Sequence, residues 1–268
     1  MMTPEKLKGF VNSSGFPLQI AIEHLVRSKT LSHGWKVRYK EHSWNNRQTA
    51  NAGFIDLVLA DERGSSAMVV ECKRVQDTSW IFLLPSMKKA KRKPAHVWAS
   101  RLDGQEEPRF FDWNDITMEP SSAECEFCIV PGQDQKSRPM LERIASELIE
   151  ATEALAWEDY YLNSEQDIIR MYANVIVTTA ELHLCAFSPG DVSIDTGMID
   201  KADFMPVPSL RFRKSLSTKS VSELNLKEKS DASLVRAKEN TVFIVNSGHF
   251  EEFLNSFGID DGFFRQFG

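Results

Sequence analysis

The sequence predicts an α/β protein built from one helix, a three-stranded meander, a second helix and a further strand, with helices flanking a mixed central sheet. Three observations predict this fold. Apolar residues recur at helical spacing over 15–30 and 139–157. Runs of strand length lie between and after these helices. A turn-rich hexapeptide at 61–66 joins two of the runs into a hairpin.

Composition excludes several classes of protein. The chain has 268 residues, of which 42% are hydrophobic and 26% charged, and these values exclude wholesale disorder, collagen and coiled coil. The apolar runs are far shorter than the ~18 residues of a membrane span. The first residues lack a secretory signal pattern, and four cysteines without an extracellular signature suggest reduced thiols. We therefore expect a soluble, cytoplasmic protein without membrane contact.

The opening elements are the best defined. Ser13–Pro17 has the composition of a helix start, and Gly34 ends the element that follows. Residues 35–44 alternate between apolar and polar, as a half-buried strand does. The hairpin has two apolar strands, 53–60 and 67–74.

The later elements are less regular. We predict a core from 1–76 and 137–187, a large insertion at 77–136, and a C-terminal α/β extension at 188–268 with a mobile linker near 217–240. The remaining elements are predicted as strands at 96–100 and 124–130, a helix at 139–157, two strands within 173–187, strands at 209–216 and 241–246, and a helix at 249–257.

The hairpin brings two acidic residues face to face. If the turn is centred between Arg63 and Gly64, Asp56 lies directly opposite Glu71. Cross-strand neighbours have Cβ atoms about 4.5–5.5 Å apart, and like charges placed there destabilise a sheet. Side chains alternate along a strand, so Lys73 shares the face of Glu71. Two carboxylates and an ammonium group are therefore expected to crowd one patch among apolar residues, where charges need partners.

This patch has the chemistry of a divalent-cation site. Carboxylates on rigid strands supply the oxygen ligands that Mg²⁺ prefers, and the ion keeps waters and a substrate phosphate as further ligands. Such an ion polarises a phosphodiester and acidifies a bound water. Lys73 would position or deprotonate that water and offset charge in the transition state. Glu23, on the first helix, is the available third carboxylate.

Three acidic residues and a lysine follow the pattern of a known family. Glu23, then Asp56, then Glu71-Cys72-Lys73 after an interval of fourteen residues resemble the motif of the PD-(D/E)xK superfamily, which has the restriction-endonuclease-like fold. The order of one helix and three strands is also that family's opening. Ile55 stands where the motif has proline. The resemblance is well defined over 15–75 and looser over 137–187.

The resemblance implies a metal-dependent nuclease. Asp56 and Glu71 would be metal ligands, Lys73 the catalytic lysine, and Glu23 an accessory acid that also contacts the metal. The cofactor would be Mg²⁺ or Mn²⁺, and the substrate DNA. Free-standing members of the superfamily work in restriction, repair, recombination and defence against phage, so a bacterial defence or DNA-processing role is expected.

Alternatives remain open at this point. The same fold can hold nucleic acid or a partner protein without cutting, RNA is a weaker option as substrate, and a homodimer or a complex with a protein partner is also compatible with the sequence. The Glu71–Lys73 pair could instead be a solvated pair on a surface hairpin, although the neighbouring Val69, Val70 and Ile55 argue against that interpretation. A complete set of Glu, Asp, Glu and Lys favours the enzyme.

Charge is distributed unevenly along the chain. The net charge is −6, but Glu71–Arg101 carries a balance of +6 and Leu102–Ile169 a balance of −13. Such segregation is typical of a protein with one anion-facing side. Two basic strips are candidate nucleic-acid contacts, and their residues are Lys88, Lys89, Lys91, Arg92 and Lys93 in the first and Arg211, Arg213 and Lys214 in the second.

Overall fold

The computed structural model describes residues 2–46, 49–76, 78–103, 110–133, 138–163, 167–217, 219, 224 and 230–259. In this part of the chain the protein is α/β, with a mixed sheet flanked by helices, as predicted. None of the described helices is long and apolar enough to cross a membrane.

The helices and strands have the following bounds. The α-helices are α1 (Pro4–Ser13), α2 (Phe16–Ser28), α3 (Thr30–His33), α4 (Met140–Asn163), α5 (Asp231–Lys238) and α6 (Phe250–Ser256). The strands are β1 (Lys36–Asn45), β2 (Ala52–Ala60), β3 (Ser66–Lys73), β4 (Ser79–Leu84), β5 (Arg92–Asp103), β6 (Phe110–Ser122), β7 (Glu124–Cys125), β8 (Cys128–Ile129), β9 (Asp167–Thr178), β10 (Glu181–Ala186), β11 (Asp203–Pro206), β12 (Ser209–Ser215), β13 (Glu239–Asn246) and β14 (Gly258–Ile259).

The larger sheet has the predicted meander at one edge. Strands β1, β2 and β3 are antiparallel neighbours, and β9 lies next to β3 and runs parallel to it. The order continues through β13, β12 and β7, while β5 also pairs with β9 and carries β6 and then β14. A smaller sheet has the order β11, β10, β4, β8. The meander and β9 therefore form the frame on which the candidate site is built.

The turn between β2 and β3 has the residues that a tight connection needs. Gly64 has a φ of 69°, in the left-handed region that glycine adopts without steric cost. The Asp61 carboxylate accepts hydrogen bonds from the Ser65 hydroxyl at 2.8 Å and from the Ser66 backbone N–H at 3.0 Å. This turn fixes the register of the two strands that it joins.

Two apolar layers hold the large sheet. Helix α4 packs on one face and helices α2 and α6 pack on the other. Successive residues of β3 alternate between the layers, with Val69 in the α4 layer and Val70 in the opposite one. Both valines are fully buried. Because both faces are covered, the central strands consist almost entirely of apolar residues, and an acidic side chain in them stands out.

The sheet draws strands from all three predicted segments. The predicted insertion, 77–136, contributes β5 and β6, and the predicted C-terminal extension, 188–268, contributes β12 and β13. Strand β13 lies parallel to β9, so a long connection separates these neighbours in the chain. Local sequence patterns do not report pairings of such long range, and this explains why the sequence suggested a separate extension.

Several predicted elements differ in detail. Helix α1 was not expected, and 124–130 forms two short strands, β7 and β8, instead of one. The two strands predicted within 173–187 exist, but β9 and β10 belong to different sheets. Within the predicted linker, 217–240, residues 218, 220–223 and 225–229 lie outside the described residues, whereas 231–238 forms helix α5.

Candidate active site

Asp56 and Glu71 occupy adjoining strands in the predicted register. Leu57 pairs with Val70, and the pairing continues in step to the turn. Asp56 and Glu71 follow at the next position of the same register. The Asp56 carboxylate bends onto β3, where it accepts a hydrogen bond from the backbone N–H of Cys72 at 2.7 Å. The predicted register is therefore confirmed from the Leu57–Val70 pair to the turn, and the Asp56 side chain links the two strands just beyond that pair.

The two carboxylates line a cavity between the meander and helix α4. Its volume is about 420 Å³, and Asp56 and Glu71 form part of its wall together with Glu147 of α4. Glu71 lies two residues after Val69, so it faces the α4 layer. Both acidic side chains are partly buried. A small ligand or a phosphate group can therefore approach them from the cavity.

Burial and charge repulsion raise the pKa of both carboxyl groups. Burial, together with the negative charges of Asp56, Glu147 and Glu41, raises the pKa of Glu71 to about 8, against the lowering effect of Lys73. Burial also raises the pKa of Asp56, against the lowering effect of the hydrogen bond from Cys72. At neutral pH the Glu71 carboxyl is thus mostly protonated. A cation bound here would displace that proton.

A third carboxylate, Glu41, stands beside Asp56 on strand β1. Lys40 pairs with Leu57 and His42 pairs with Ile55, so Glu41 and Asp56 occupy the position between these pairs. Glu41 has a φ of 48°, an uncommon left-handed conformation for a residue other than glycine. Its negative charge raises the pKa of both Asp56 and Glu71. Three acidic residues therefore form a row across three adjacent strands.

Helix α2 contributes a glutamine to this row. The Gln19 side chain is buried, and its Nε2 donates hydrogen bonds to the Glu41 carboxylate and, at 3.2 Å, to the backbone carbonyl of Asp56. Neither Gln19 nor Glu41 was predicted from the sequence, although the alternation in β1 and its pairing with β2 would have placed Glu41 opposite Asp56.

Glu23 lies one helical turn after Gln19 and makes different contacts. Its carboxylate accepts from Arg27 Nε at 2.9 Å and lies 3.6 Å from Lys40 Nζ. The hydrogen bond from Arg27 is the main reason why the pKa of Glu23 is lowered. Among the described contacts of Glu23, none involves Asp56 or Glu71. Helix α2 thus contributes Gln19 to the site. Glu23 instead contacts two exposed basic residues, Arg27 and Lys40.

Lys73 ends strand β3 next to the acidic row. Its side chain is partly buried, and its charge lowers the pKa of both Asp56 and Glu71, so the ammonium group lies within electrostatic reach of both. Its backbone carbonyl accepts from the Thr179 N–H at 3.3 Å. No ion pair of Lys73 is found within the described ranges. Its ammonium group therefore acts on the two carboxylates through its charge, although Lys73 is not among the described residues that line the cavity.

The donor set suits a hard cation. Within the residues that the structure describes, no group of three or more His, Cys, Asp or Glu side chains is arranged to hold a metal ion. Asp56 and Glu71 supply two carboxylates, and Mg²⁺ sites often use only one or two carboxylates beside water and substrate phosphate. The residues present fit a two-carboxylate Mg²⁺ or Mn²⁺ site. Glu41 lies next to Asp56 on the neighbouring strand and is bonded to Gln19.

The first basic strip is partly neutralised by acidic neighbours. Lys89 Nζ donates to Glu126 at 2.8 Å and lies 3.8 Å from Glu124 of β7. Lys93 forms an ion pair with Glu119. These two lysines therefore already have anionic partners within the protein.

Two other members of this strip are exposed and have no described ion pair. Lys88 and Lys91 are exposed, and Arg92 is partly buried. Among the described contacts, Lys88 and Lys91 have no ion pair. They remain the candidates of this strip for contact with a phosphate backbone.

Arg211 is a structural residue, and its predicted nucleic-acid contact is corrected. The side chain is fully buried, and its guanidinium group lies over the Phe243 ring, 5.0 Å from the centroid. Each of the two terminal nitrogens donates two hydrogen bonds, and the acceptors are the carbonyl oxygens of Lys93, Met118 and Pro120 and the hydroxyl of Ser122. The alternating pattern of β12 placed Arg211 on the buried face, where its fork of donors satisfies carbonyl groups that water does not reach.

Arg213 and Lys214 are also held by partners within the protein. Arg213 is largely buried and forms ion pairs with Asp115 and Glu239, each at 2.9 Å. Lys214 pairs with Glu142 of helix α4. The second basic strip therefore stabilises the packing of β12 and offers little free positive charge to a nucleic acid.

Comparisons with known proteins give no further guidance. No protein-family model, no curated protein and no solved structure matches this chain. Function is therefore inferred from the residues and their geometry.

Proposed function

We propose that this protein is a metal-dependent nuclease that hydrolyses DNA phosphodiester bonds with Mg²⁺ or Mn²⁺. The observation that carries the proposal is the placement of Asp56 and Glu71 on adjoining strands, where both line one cavity and the charge of Lys73 lowers the pKa of each. Two partly buried carboxylates on neighbouring strands destabilise the folded protein, so their presence suggests a function that uses them.

The order of elements supports a restriction-endonuclease-like core. Helix α2, strands β1 to β3, helix α4 and strand β9 occur in the chain order that the resemblance to the PD-(D/E)xK superfamily implies, with α3 after α2 and strands β4 to β8 inserted between β3 and α4. Strand β9 pairs in parallel with β3, so α4 crosses over the face that carries the acidic pair. This arrangement gives the pair a rigid sheet beneath it and a helix as the opposite wall.

Asp56 and Glu71 would hold the cation. The bound cation would stabilise negative charge on the phosphate oxygens and would lower the pKa of a bound water. The hydrogen bond from Cys72 keeps one oxygen of Asp56 on β3, and this fixes the direction of the other. Glu71 must lose its proton to act as a ligand, so its raised pKa makes cation binding depend on pH.

Lys73 would act on the phosphate. Its ammonium group can lie near the phosphate oxygens, where negative charge grows during attack by water. The same positive charge also reduces the repulsion between the two carboxylates. Lys73 would therefore reduce carboxylate repulsion in the free site and stabilise negative charge on the phosphate during the reaction.

Gln19 and Glu41 would position the ligands. Gln19 ties the Glu41 carboxylate to the backbone of Asp56, so helix α2 is coupled to the strand that carries a metal ligand. Partners of this kind orient a ligand, and their removal typically lowers metal affinity or activity about 10- to 100-fold. We assign this positioning role to Gln19.

The exposed basic residues lie far from the acidic pair along the sheet. Lys89 is tied to β7, and four strand spacings separate β7 from β3, which corresponds to on the order of 20 Å. Lys88 and Lys91 would therefore contact nucleic acid well away from the bond that is cut. Such contacts would strengthen binding without entering the chemistry.

A substrate panel tests the proposal. Purified protein is incubated with supercoiled plasmid, linear duplex and single-stranded DNA, each with Mg²⁺, Mn²⁺ or EDTA. We expect cleavage of DNA with either metal and none with EDTA. Absence of cleavage in every condition, together with DNA binding that Asp56→Asn leaves unchanged, would favour a nucleic-acid-binding module without catalysis.

A further inference from the structure

A second cavity lies further along helix α4. Its volume is about 360 Å³, within the range of small-ligand pockets. Two aromatic side chains of α4, Trp157 and Tyr161, line it together with the carboxylates of Glu153 and Glu158. Asn45, at the end of β1, forms part of the opposite wall. None of these groups belongs to the acidic row at Asp56 and Glu71.

The aromatic side chains are unusually accessible. Trp157 is 40% exposed and Tyr161 is 64% exposed. The Trp157 indole is braced by Phe111, at 4.5 Å between ring centroids, and its centroid lies 6.3 Å from that of Tyr161. Exposed aromatic residues of this size, held in place by packing, are typical of recognition surfaces. Their π faces attract cations.

The charged side chains in the described lining of the cavity are carboxylates. Its described lining contains Glu153 and Glu158 but neither lysine nor arginine. Glu153 is buried and already bound by Lys219 at 2.6 Å and by Trp113 Nε1 at 2.8 Å. Glu158 is more open, with a side chain that is 42% exposed and one described contact, to His42 at 2.6 Å. A carboxylate therefore stands at the mouth beside the two rings.

We propose that this cavity binds a cationic side chain, an arginine or lysine, presented by a basic segment of a partner protein. The aromatic faces would take the apolar and cationic parts of that side chain, and Glu158 would pair with its charge. A nucleic-acid occupant is disfavoured because Glu158, the more open carboxylate of this lining, would repel its phosphates. This inference does not depend on the nuclease proposal.

The test observes the indole N–H signals of the ¹⁵N-labelled full-length chain at pH 7.5. Trp157→Phe identifies the Trp157 signal. Four probes are used. Two are peptides with blocked, uncharged ends: Gly-Arg-Gly, and the same peptide with citrulline in place of arginine. The other two are spermidine and deoxyadenosine. We expect the arginine peptide to shift the Trp157 signal saturably and to bind at least fivefold more tightly than the citrulline peptide, which lacks only the charge.

Variants locate the effect. Glu158→Gln should weaken binding of the arginine peptide at least threefold, whereas Glu181→Gln, on β10 of the smaller sheet, should leave it unchanged. The other indole signals report whether each variant keeps its fold. Equal binding of the citrulline peptide, tighter binding of spermidine or deoxyadenosine than of the arginine peptide, or a Trp157 signal that no probe shifts would overturn the proposal.

Discussion

The Asp56 carboxylate accepts a hydrogen bond of 2.7 Å from the backbone N–H of Cys72, the residue that follows Glu71. This bond places an acidic side chain of β2 against the strand that carries a second acidic side chain. It stabilises the ionised form of Asp56, and it leaves Glu71 to bear most of the repulsion. The two carboxylates are therefore unequal, and their inequality has measurable consequences.

Stability should depend on pH through Glu71. Its pKa rises from about 4.5 to about 8 on folding, so between these values the folded state binds more protons than the unfolded state. The free energy of unfolding therefore falls as pH rises through this window. We expect the metal-free protein to have a lower Tm at pH 8.5 than at pH 6, and Glu71→Gln to remove most of this decrease. Thermal unfolding at a series of pH values measures it, and a decrease that is unchanged in Glu71→Gln would assign it to other groups.

Gln19 should matter more for cleavage than Glu23. Gln19 bonds to Glu41 and to the backbone of Asp56, whereas Glu23 bonds to Arg27 and Lys40. Gln19→Ala is expected to lower kcat/KM about 10- to 100-fold, with partial recovery at high Mg²⁺. Glu23→Gln should change it less than about threefold. The reverse order of effects would return Glu23 to the role that the family resemblance implies.

Lys73→Met should reduce the rate and spare the metal. The ammonium group offsets negative charge in the transition state, and removal of such a group typically costs about 100- to 1,000-fold in kcat. Removing a positive charge beside two carboxylates should leave Mn²⁺ affinity unchanged or slightly higher. Single-turnover cleavage and calorimetric Mn²⁺ binding separate the two effects. Loss of Mn²⁺ binding in a folded Lys73→Met protein would argue against this division of roles.

The exposed lysines of the first basic strip should govern affinity for DNA. For duplex DNA, the slope of log K against log salt falls by about 0.9 for each phosphate that the protein no longer neutralises. Lys88→Glu with Lys91→Glu should therefore weaken binding and flatten the salt dependence on every DNA sequence alike. Catalysis at saturating DNA should change little, because this strip lies far from Asp56. Lys201→Glu, on another exposed surface, is the control, and equal effects of the two charge reversals would show that the strip does not bind DNA specifically.

The sequence predicts the site well where local patterns determine it. Gly64 and the residues around it define the turn, the turn sets the register, and Asp56 and Glu71 are the residues that follow the last pair of that register, Leu57 and Val70. The helix that becomes α4 is likewise visible in its apolar spacing. These features depend on neighbours that are close in the chain.

Features that depend on long-range packing escape the sequence. The roles of Gln19 and Glu41 follow from how α2 lies on β1, and Arg211 is buried because β12 lies between β13 and β7. A run of basic residues reports charge but not burial. Arg211 was therefore predicted as a surface residue, although its guanidinium group satisfies carbonyls inside the protein.

The most direct test of the catalytic assignment is Mg²⁺-dependent cleavage of DNA by Glu71→Gln, compared with Glu62→Gln in the exposed β2–β3 turn of the same hairpin. Both substitutions remove one carboxylate and keep the shape of the side chain. With matched folding and the same DNA, Glu71→Gln should lower the single-turnover rate at least 1,000-fold, roughly 4 kcal/mol of barrier, while Glu62→Gln should cleave at the wild-type rate. Wild-type cleavage by a folded Glu71→Gln protein would contradict the assignment of the acidic pair as the catalytic centre.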